Sequence, residues 1–170
     1  MIRKAKIPDL DEVIHLLYDD GLGRDRESVS NKYKQKYLSV FSELLESKYF
    51  DIFVMENNNE IIGFYQIMYL PHISFKGSKR GQVESVRIRS DFRRSGLGTK
   101  LINHAIEVAR NNGCSILQLT SNKKRKETGK FYKNLGFSPT HVGYKFYFKP
   151  TPSHPRKIPT NSSQSQTNSN

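Results

Sequence analysis

A strand that stops at a Gly-x-Gly turn and passes straight into a helix is the tightest constraint in this sequence. The segment reads Val86-Arg87-Ile88-Arg89-Ser90-Asp91-Phe92-Arg93-Arg94-Ser95-Gly96-Leu97-Gly98-Thr99, with apolar residues alternating before the glycines and recurring at helical spacing after them. Glycine lets the backbone approach a ligand closely. The first amides of a helix have no intrahelical acceptor, so they point at an anion together with the positive end of the helix dipole. Arg93, Arg94, Ser95, Gly96, Leu97, Gly98 and Thr99 therefore form a candidate phosphate cradle, against the competing reading of a purely structural turn. The loop lacks the Gly-Lys-Thr ending of nucleoside-triphosphate sites and the third glycine of dinucleotide folds, which argues against both.

Around this turn the chain reads as a mixture of strands and helices. Residues 2–7 form a strand, and Pro8-Asp9-Leu10-Asp11 opens a helix with Leu10, Val13, Ile14 and Leu17 on one face. A second helical pattern covers 29–47, with Tyr33, Tyr37, Leu38, Phe41, Leu44 and Leu45 as its stripe. Tyr18 and Tyr33 suit either that core or the lining of a pocket. Strands over 50–55 and 61–70 are joined by Asn57-Asn58-Asn59-Glu60, which suits a tight hairpin. A strand over 82–89, a helix over 97–111 ended by Asn112-Gly113, a strand over 115–120 and a helix over 127–135 follow. The ordered part closes on an alternating strand, with Tyr144, Phe146 and Phe148 on one face and Lys145, Tyr147 and Lys149 on the other. An early hairpin followed by strand–helix–strand units predicts an α/β fold with a mixed sheet.

Composition bounds the rest. A length of 170 residues with 35% hydrophobic content suits one domain, expected over 1–150. Residues 151–170 are almost devoid of apolar side chains and read as a disordered polar tail. No apolar run reaches the ~20 residues of a membrane span, and the start is not a secretory segment, so a cytoplasmic protein without membrane partners is expected. Cys114 is the single cysteine, which excludes an internal disulfide or a cysteine-only metal cage; no metal is expected. The formal charge of +12 attracts polyanions, and it concentrates at 76–80 and 123–126. No zinc finger, RNA-recognition signature or helix-turn-helix pattern accompanies these clusters, so nucleic acid is not the expected partner.

Arg93, Gly96 and Gly98 after the strand over 84–88 match the pattern Arg/Gln-x-x-Gly-x-Gly/Ala. Asn122, then Arg125, then Phe131-Tyr132-Lys133-Asn134-Leu135-Gly136-Phe137 match Asn…Phe-Tyr-x-x-x-Gly-Phe. With both motifs in order, the sequence resembles the GNAT superfamily of N-acetyltransferases. The resemblance implies a GNAT-like, mostly antiparallel sheet of six to seven strands flanked by about four helices, and acetyl-CoA as co-substrate. It implies that amides from Arg93 to Thr99 hold the pyrophosphate, that the backbone of Val86, Arg87 and Ile88 pairs with pantetheine, that Asn122 bonds the pantetheine arm, and that Tyr132 lies near its sulfur as general acid. For Asn122 a loop-capping role is the alternative.

On the acceptor side the expected residues are Glu84, His72 and Tyr33. Glu84 is preferred because it would share strand parity with Val86 and Ile88, and because it resembles the strand glutamate of several such enzymes; its alternative is a partner for Arg87 or Arg89. His72 and His141 are alternative bases by intrinsic pKa. Holding a lysine-like amine neutral at pH 7 costs about 4.6 kcal/mol, whereas direct transfer of its proton to an unshifted glutamate is uphill by about 8 kcal/mol. Glu84 must then be shifted, act through water, or mainly attract the cation. The resemblance points to a small-molecule amine acceptor. A peptide or protein acceptor, and a non-catalytic module that senses acetyl-CoA or binds nucleic acid, are the rival classes. A homodimer is compatible with all of them.

Overall fold

A computed structural model of the chain describes residues 1–148 apart from Leu22, Asp25 and Lys126; the expected tail over 151–170 lies outside the described residues. The chain divides into two compact units, Met1–Pro139 and Thr140–Asn170. The first begins with β1 (Ile2–Lys4), a 3-10 turn (Ile7–Asp9), α1 (Leu10–Tyr18) and α2 (Lys34–Glu46). It continues with β2 (Phe50–Asn57), β3 (Glu60–Pro71), the four-residue turn α3 (Ser74–Gly77) and β4 (Lys79–Ile88). It ends with α4 (Leu97–Asn111), β5 (Cys114–Leu119) and α5 (Thr128–Asn134).

The strands form one sheet in the order β1-β2-β3-β4-β5. The first three pairings are antiparallel, and β5 runs parallel to β4 because the chain returns through α4, the long crossover a parallel pair requires. The β2–β3 reversal puts Asn58 and Asn59 at φ 49° and 63°, the left-handed region that a two-residue hairpin turn needs and asparagine tolerates. The N-terminal strand is held by Arg3, whose guanidinium donates to both oxygens of Asp9, at 2.7 and 2.9 Å, and to Glu56 at 2.8 Å.

Each face of the sheet carries its own apolar cluster. On one, Leu101, Ile102, Ala105 and Ala109 of α4 pack on Phe53, Met55, Tyr65, Ile67, Tyr69 and Val83; the two alanines let the helix lie close to the strands. On the other, Leu10, Val13, Ile14 and Leu16 of α1 and Phe41 of α2 cover Ile52, Val54, Ile61 and Phe64. Burying each Leu, Ile, Val, Met or Phe side chain here contributes about 1.5–3 kcal/mol.

Several expectations change. Leu16, more than Leu17, turns to the core at 3% exposure. The second helix begins at Lys34, because residues before it form a 3-10 turn (Asn31–Tyr33) that Ser30 caps. Tyr33 is 44% exposed and outside the core stripe. The sheet has five strands among the described residues, not six or seven. The alternating segment forms no strand over its described residues 142–147: alternation marks two different faces but does not by itself supply a ladder partner. In that second unit Phe146 and Phe148 meet edge to face at 5.3 Å, and His141 Nδ1 lies 2.7 Å from the Thr140 hydroxyl.

Gly63 sits where a side chain on β3 would collide with β4. A Cβ there would stand 2.7 Å from Ile88 Cδ1 and 2.9 Å from the Arg87 carbonyl oxygen, and the second of these is backbone. Gly63→Ala should therefore lower stability by about 1–3 kcal/mol, read as a lower urea midpoint at unchanged slope. A midpoint equal to that of the parent would show that β4 moves aside without strain.

Candidate functional site

The site is built on an irregularity in β4. Between the pairs Phe64↔Arg87 and Gln66↔Glu84, three steps of β4 oppose two of β3, which is a β-bulge. Ser85 carries it at φ 55°, a conformation costing about 1–2 kcal/mol for a residue with a Cβ. The extra residue resets the side-chain alternation. Val83, Val86 and Ile88 all pack into the α4-side cluster, so Glu84 does not share parity with Val86 and Ile88 as the unbroken alternation implied. It sits with Gln82, whose amide donates to it at 2.8 Å; Gln118 in turn donates to Gln82 at 2.6 Å. This relay fixes one carboxylate oxygen. Glu84 makes no ion pair with Arg87 or Arg89, since Arg89 is taken by Glu60 and Asp91.

The bulge also ends the parallel pairing. β4 and β5 match only as far as Val83↔Leu119, while β4 stays paired to β3 up to Ile88. From 84 to 88 the other edge of β4 has no strand partner among the described residues, and its backbone polar groups need other partners. Two arginines serve the carbonyls there. Arg93 Nε donates to Ile88 and Arg87 Nη1 to Val86, each at 2.8 Å.

Beside this edge lies a cleft of about 330 Å³ lined by Val86, Ile88, Arg93, Glu127, Thr128, Phe131 and Tyr132. In the loop that follows Arg93, Gly96 stands at φ 81° with open space where a Cβ would be, and no side chain caps the start of α4. The amides of Leu97, Gly98 and Thr99 therefore lack intrahelical acceptors in the sense the cradle requires. Arg93 is tied to Asp19 at 3.0 Å, and the Ser95 hydroxyl donates to the Phe92 carbonyl at 2.6 Å, which holds the loop in shape. Arg94, also at positive φ (63°), is exposed.

Tyr132 is held between Phe131 and Phe137, with ring centroids 5.0 and 5.8 Å away. Burial pushes its hydroxyl pKa up, Arg87 and Arg125 pull it down, and Glu84 pushes it up again; the net direction is upward. The phenol is thus protonated at neutral pH, and Glu84, Arg87 and Arg125 are its electrostatic neighbours.

The other expected residues separate. Asn122 at present caps its own loop, accepting from the Lys124 amide at 2.9 Å. His72 lies at the α3 end of the hairpin, engaged with the hydroxyls of Ser74 at 2.7 Å and Ser78 at 3.3 Å. That end is about 17 Å along β4 from Glu84 at the rise of an extended strand. Tyr33 is exposed on its 3-10 turn under Lys32, and it lines neither the cleft nor the smaller hollow beside α1, where Tyr37 sits instead. Cys114 faces Lys79 across the distant start of β4. Among the described residues no three His, Cys, Asp or Glu side chains gather as a metal set, and no helix is long and apolar enough to cross a membrane.

Asp20 and Arg125 join this site without having been expected there. The Asp20 carboxylate is 5% exposed. It accepts from Arg125 and lies 3.5 Å from Arg87 Nη2, so the segment after α1, the bulged strand and the segment before α5 meet on one carboxylate. Burial opposes its charge, but Arg125, Arg87 and Arg26 outweigh burial and hold its pKa below the usual carboxylate value.

The sequence profile of the Acetyltransferase (GNAT) family matches residues 12–137. An uncharacterized N-acetyltransferase of Methanocaldococcus jannaschii is 29% identical over 141 residues, covering 83% of this chain and 62% of that protein. A glucosamine 6-phosphate N-acetyltransferase of Trypanosoma brucei brucei is 31% identical over 86 residues, 51% of this chain and 56% of that one. The chain thus spans less than two thirds of the length of these two relatives. A crystal structure described as a transcriptional regulator from Bacillus halodurans superposes with a TM-score of 0.85 at 38% identity, over 87% of this chain and 99% of the other.

The Asp20 cluster sets an acid limit. Because the folded pKa lies below the unfolded value, its contribution is present above about pH 4 and is lost as pH falls through the folded pKa. Asp20→Asn should cost about 3 kcal/mol at pH 7, since two arginines lose their shared counter-charge, and the gap from the parent should shrink at pH 3. Urea titrations at both pH values measure this; an equal gap at each would assign the loss to packing and not to charge.

Proposed function

The chain belongs to the Acetyltransferase (GNAT) family, and from that premise we propose that it transfers the acetyl group of acetyl-CoA to a primary amine of a small molecule, by direct attack in a ternary complex. The observation that carries the reading is an unpartnered β4 edge beside a cleft that Val86, Ile88 and the neutral phenol of Tyr132 line, with the Gln82-bound carboxylate of Glu84 on the same strand. The residues fit acetyl-CoA on their own geometry: Gly96 leaves a space that no side chain fills, α4 starts without a side-chain cap, and β4 offers backbone partners beyond Val83. The amides of the 93–99 loop would hold the pyrophosphate, and the backbone N–H groups of Val86 and Ile88, whose carbonyls Arg87 and Arg93 already hold, would meet the pantetheine arm.

When bound, acetyl-CoA supplies the activated acetyl group. Tyr132 keeps its proton at neutral pH and presents it to the departing sulfur; a thiol pKa near ~8.5 against ~10 for tyrosine lets donation follow the growth of charge. Glu84, held on one oxygen by Gln82, keeps its other oxygen for the incoming ammonium. Its task is attraction and relay through water, because a direct transfer from a lysine-like ammonium would be uphill by about 8 kcal/mol.

Two observations separate this from the rival readings. The Asp20 link ties the segment after α1 to the segment before α5; in the proposed complex this tie would narrow the acceptor side, which supports a small molecule over a long peptide. The Bacillus halodurans structure is named for regulation, yet this chain retains Tyr132 between two aromatic rings beside the cleft, which supports catalysis over sensing. The first test is a panel of amines with the purified chain and acetyl-CoA, following release of free thiol. Tyr132→Phe leaves the ring in place and removes the proton, so kcat should fall by ~10²–10⁴ with acetyl-CoA affinity little changed. Near-full kcat in that variant, with chemistry limiting, would require a different donor.

A further inference from the structure

Arg87 is a guanidinium with too few partners. Its side chain is 16% exposed, and burial lowers its pKa in spite of Asp20. Among the described residues it makes one hydrogen bond, from Nη1 to the Val86 carbonyl at 2.8 Å. Nε is buried with no partner, and Nη2 stands 3.5 Å from Asp20 Oδ2, within ion-pair range but long for a hydrogen bond. Asp20 itself is already satisfied by Arg125 at much closer range. Such an arrangement is expensive as a purely structural device, because a buried charge is tolerated when paired and hydrogen-bonded. Here two arginines share one carboxylate, and the one nearer the open edge of β4 is left under-coordinated.

Its position gives the surplus a use. The bond to the Val86 carbonyl places the guanidinium at the edge that β5 leaves unpaired. Glu84 and Arg87 flank the bulge opposite Gln66 and Phe64, about 7 Å apart along the strand, and Tyr132 feels both of them. A carboxylate and an under-coordinated guanidinium on either side of one bulge form a complementary pair for a zwitterion. Resting on the acetyl-transfer reading above, we infer that the acceptor is an amine carrying an anionic group, a carboxylate, phosphate or phosphonate a few bonds from the nitrogen, with Arg87 as the specificity residue that receives the anion and Arg125 beside it. Arg93 is not available for that task, being held by Asp19 and the Ile88 carbonyl. Polyamines and unsubstituted amino alcohols, which bring a cation and no anion, are then poor acceptors.

The test uses the intact chain at saturating acetyl-CoA and matched acceptors: 3-aminopropylphosphonate against 3-aminopropanol, and 4-aminobutyrate against its amide, read as kcat/KM for thiol release. The anionic member of at least one pair should be favoured by about 10- to 100-fold, as expected for a charge-assisted bond to a shielded guanidinium, and the pair showing it distinguishes the phosphonate from the carboxylate class. In Arg87→Gln the ratio should collapse to within a few-fold of one. This variant is expected to fold, because Arg125 still satisfies Asp20, and the parent ratio stands whether it does or not. Neutral acceptors equal to or better than their anionic partners in the parent would overturn the inference while leaving acetyl transfer intact. A preserved ratio in Arg87→Gln, or a loss confined to acetyl-CoA affinity by calorimetry, would assign Arg87 elsewhere and overturn it too. Absence of thiol release with every amine, in a chain that binds acetyl-CoA, would remove the transfer reading itself.

Discussion

β4 cannot satisfy two neighbours along its whole length, and the site is the consequence. Toward β3 its ladder continues to Ile88, while toward β5 it ends at Val83. The backbone groups on that edge would carry a cost of roughly 1–3 kcal/mol each if buried without partners. Ser85 adds its own strain at φ 55°. What makes this tolerable is packing on both sides of the irregularity. Val83, Val86 and Ile88 enter the same cluster as Leu101 and Ile102, and Gly63 lets β3 approach without a Cβ in the way. A partly unzipped strand is thereby fixed between rigid neighbours, which is how a binding edge can persist without collapsing into a longer sheet.

Charge is distributed by the same logic. The chain carries +12 overall, enough to draw phosphate-bearing ligands toward it from outside, but the cations around the cleft are assigned separate tasks. Arg93 braces the loop through Asp19 and the Ile88 carbonyl, Arg89 is held by Glu60 and Asp91 at the surface, and Arg125 anchors on Asp20. Arg87 alone of these four combines burial with an unpartnered nitrogen. Local pairing, more than total charge, therefore distinguishes a guanidinium that holds the fold from one that can hold a ligand.

The parts of this architecture that depend on neighbours in sequence were legible in it. The helix over 97–111 has the bounds of α4 because its apolar period, its glycine start and its Asn112-Gly113 stop are all local, and the Asn58-Asn59 reversal is written in two residues able to take positive φ. The bulge was not legible: Ser85 has no glycine or asparagine signature, so alternation read through it put Glu84 on the wrong face. Asp20 was missed because its meaning lies in Arg125, 105 positions away, and no spacing rule connects them. Tyr33 was misplaced because a 3-10 turn, not the α-helix, carries it and leaves it exposed, while Leu17 packs on the core at its edge and Leu16 fills it. The segment over 142–147 alternated convincingly, but pairing is a property of two strands and alternation of one.

The proton on the amine links these features. A primary amine of pKa ~10.4 costs about 4.6 kcal/mol to present neutral at pH 7, and one near ~8 only about 1.4 kcal/mol. An anion on the same molecule favours the ammonium and so raises that cost, unless the protein takes the anion's charge for itself. A guanidinium in the position of Arg87 does this: by pairing the acceptor's anion it weakens the internal attraction that keeps the nitrogen protonated, while Glu84 still draws the cation to the strand. In the proposed complex the two residues would act in sequence: Glu84 would favour arrival of the charged amine, Arg87 would lower the cost of its losing the proton, and Tyr132, whose pKa burial raises, would keep its own proton for the sulfur. On the proposed reading, recognition and activation of the acceptor would come from one pair of side chains on either side of a single inserted residue.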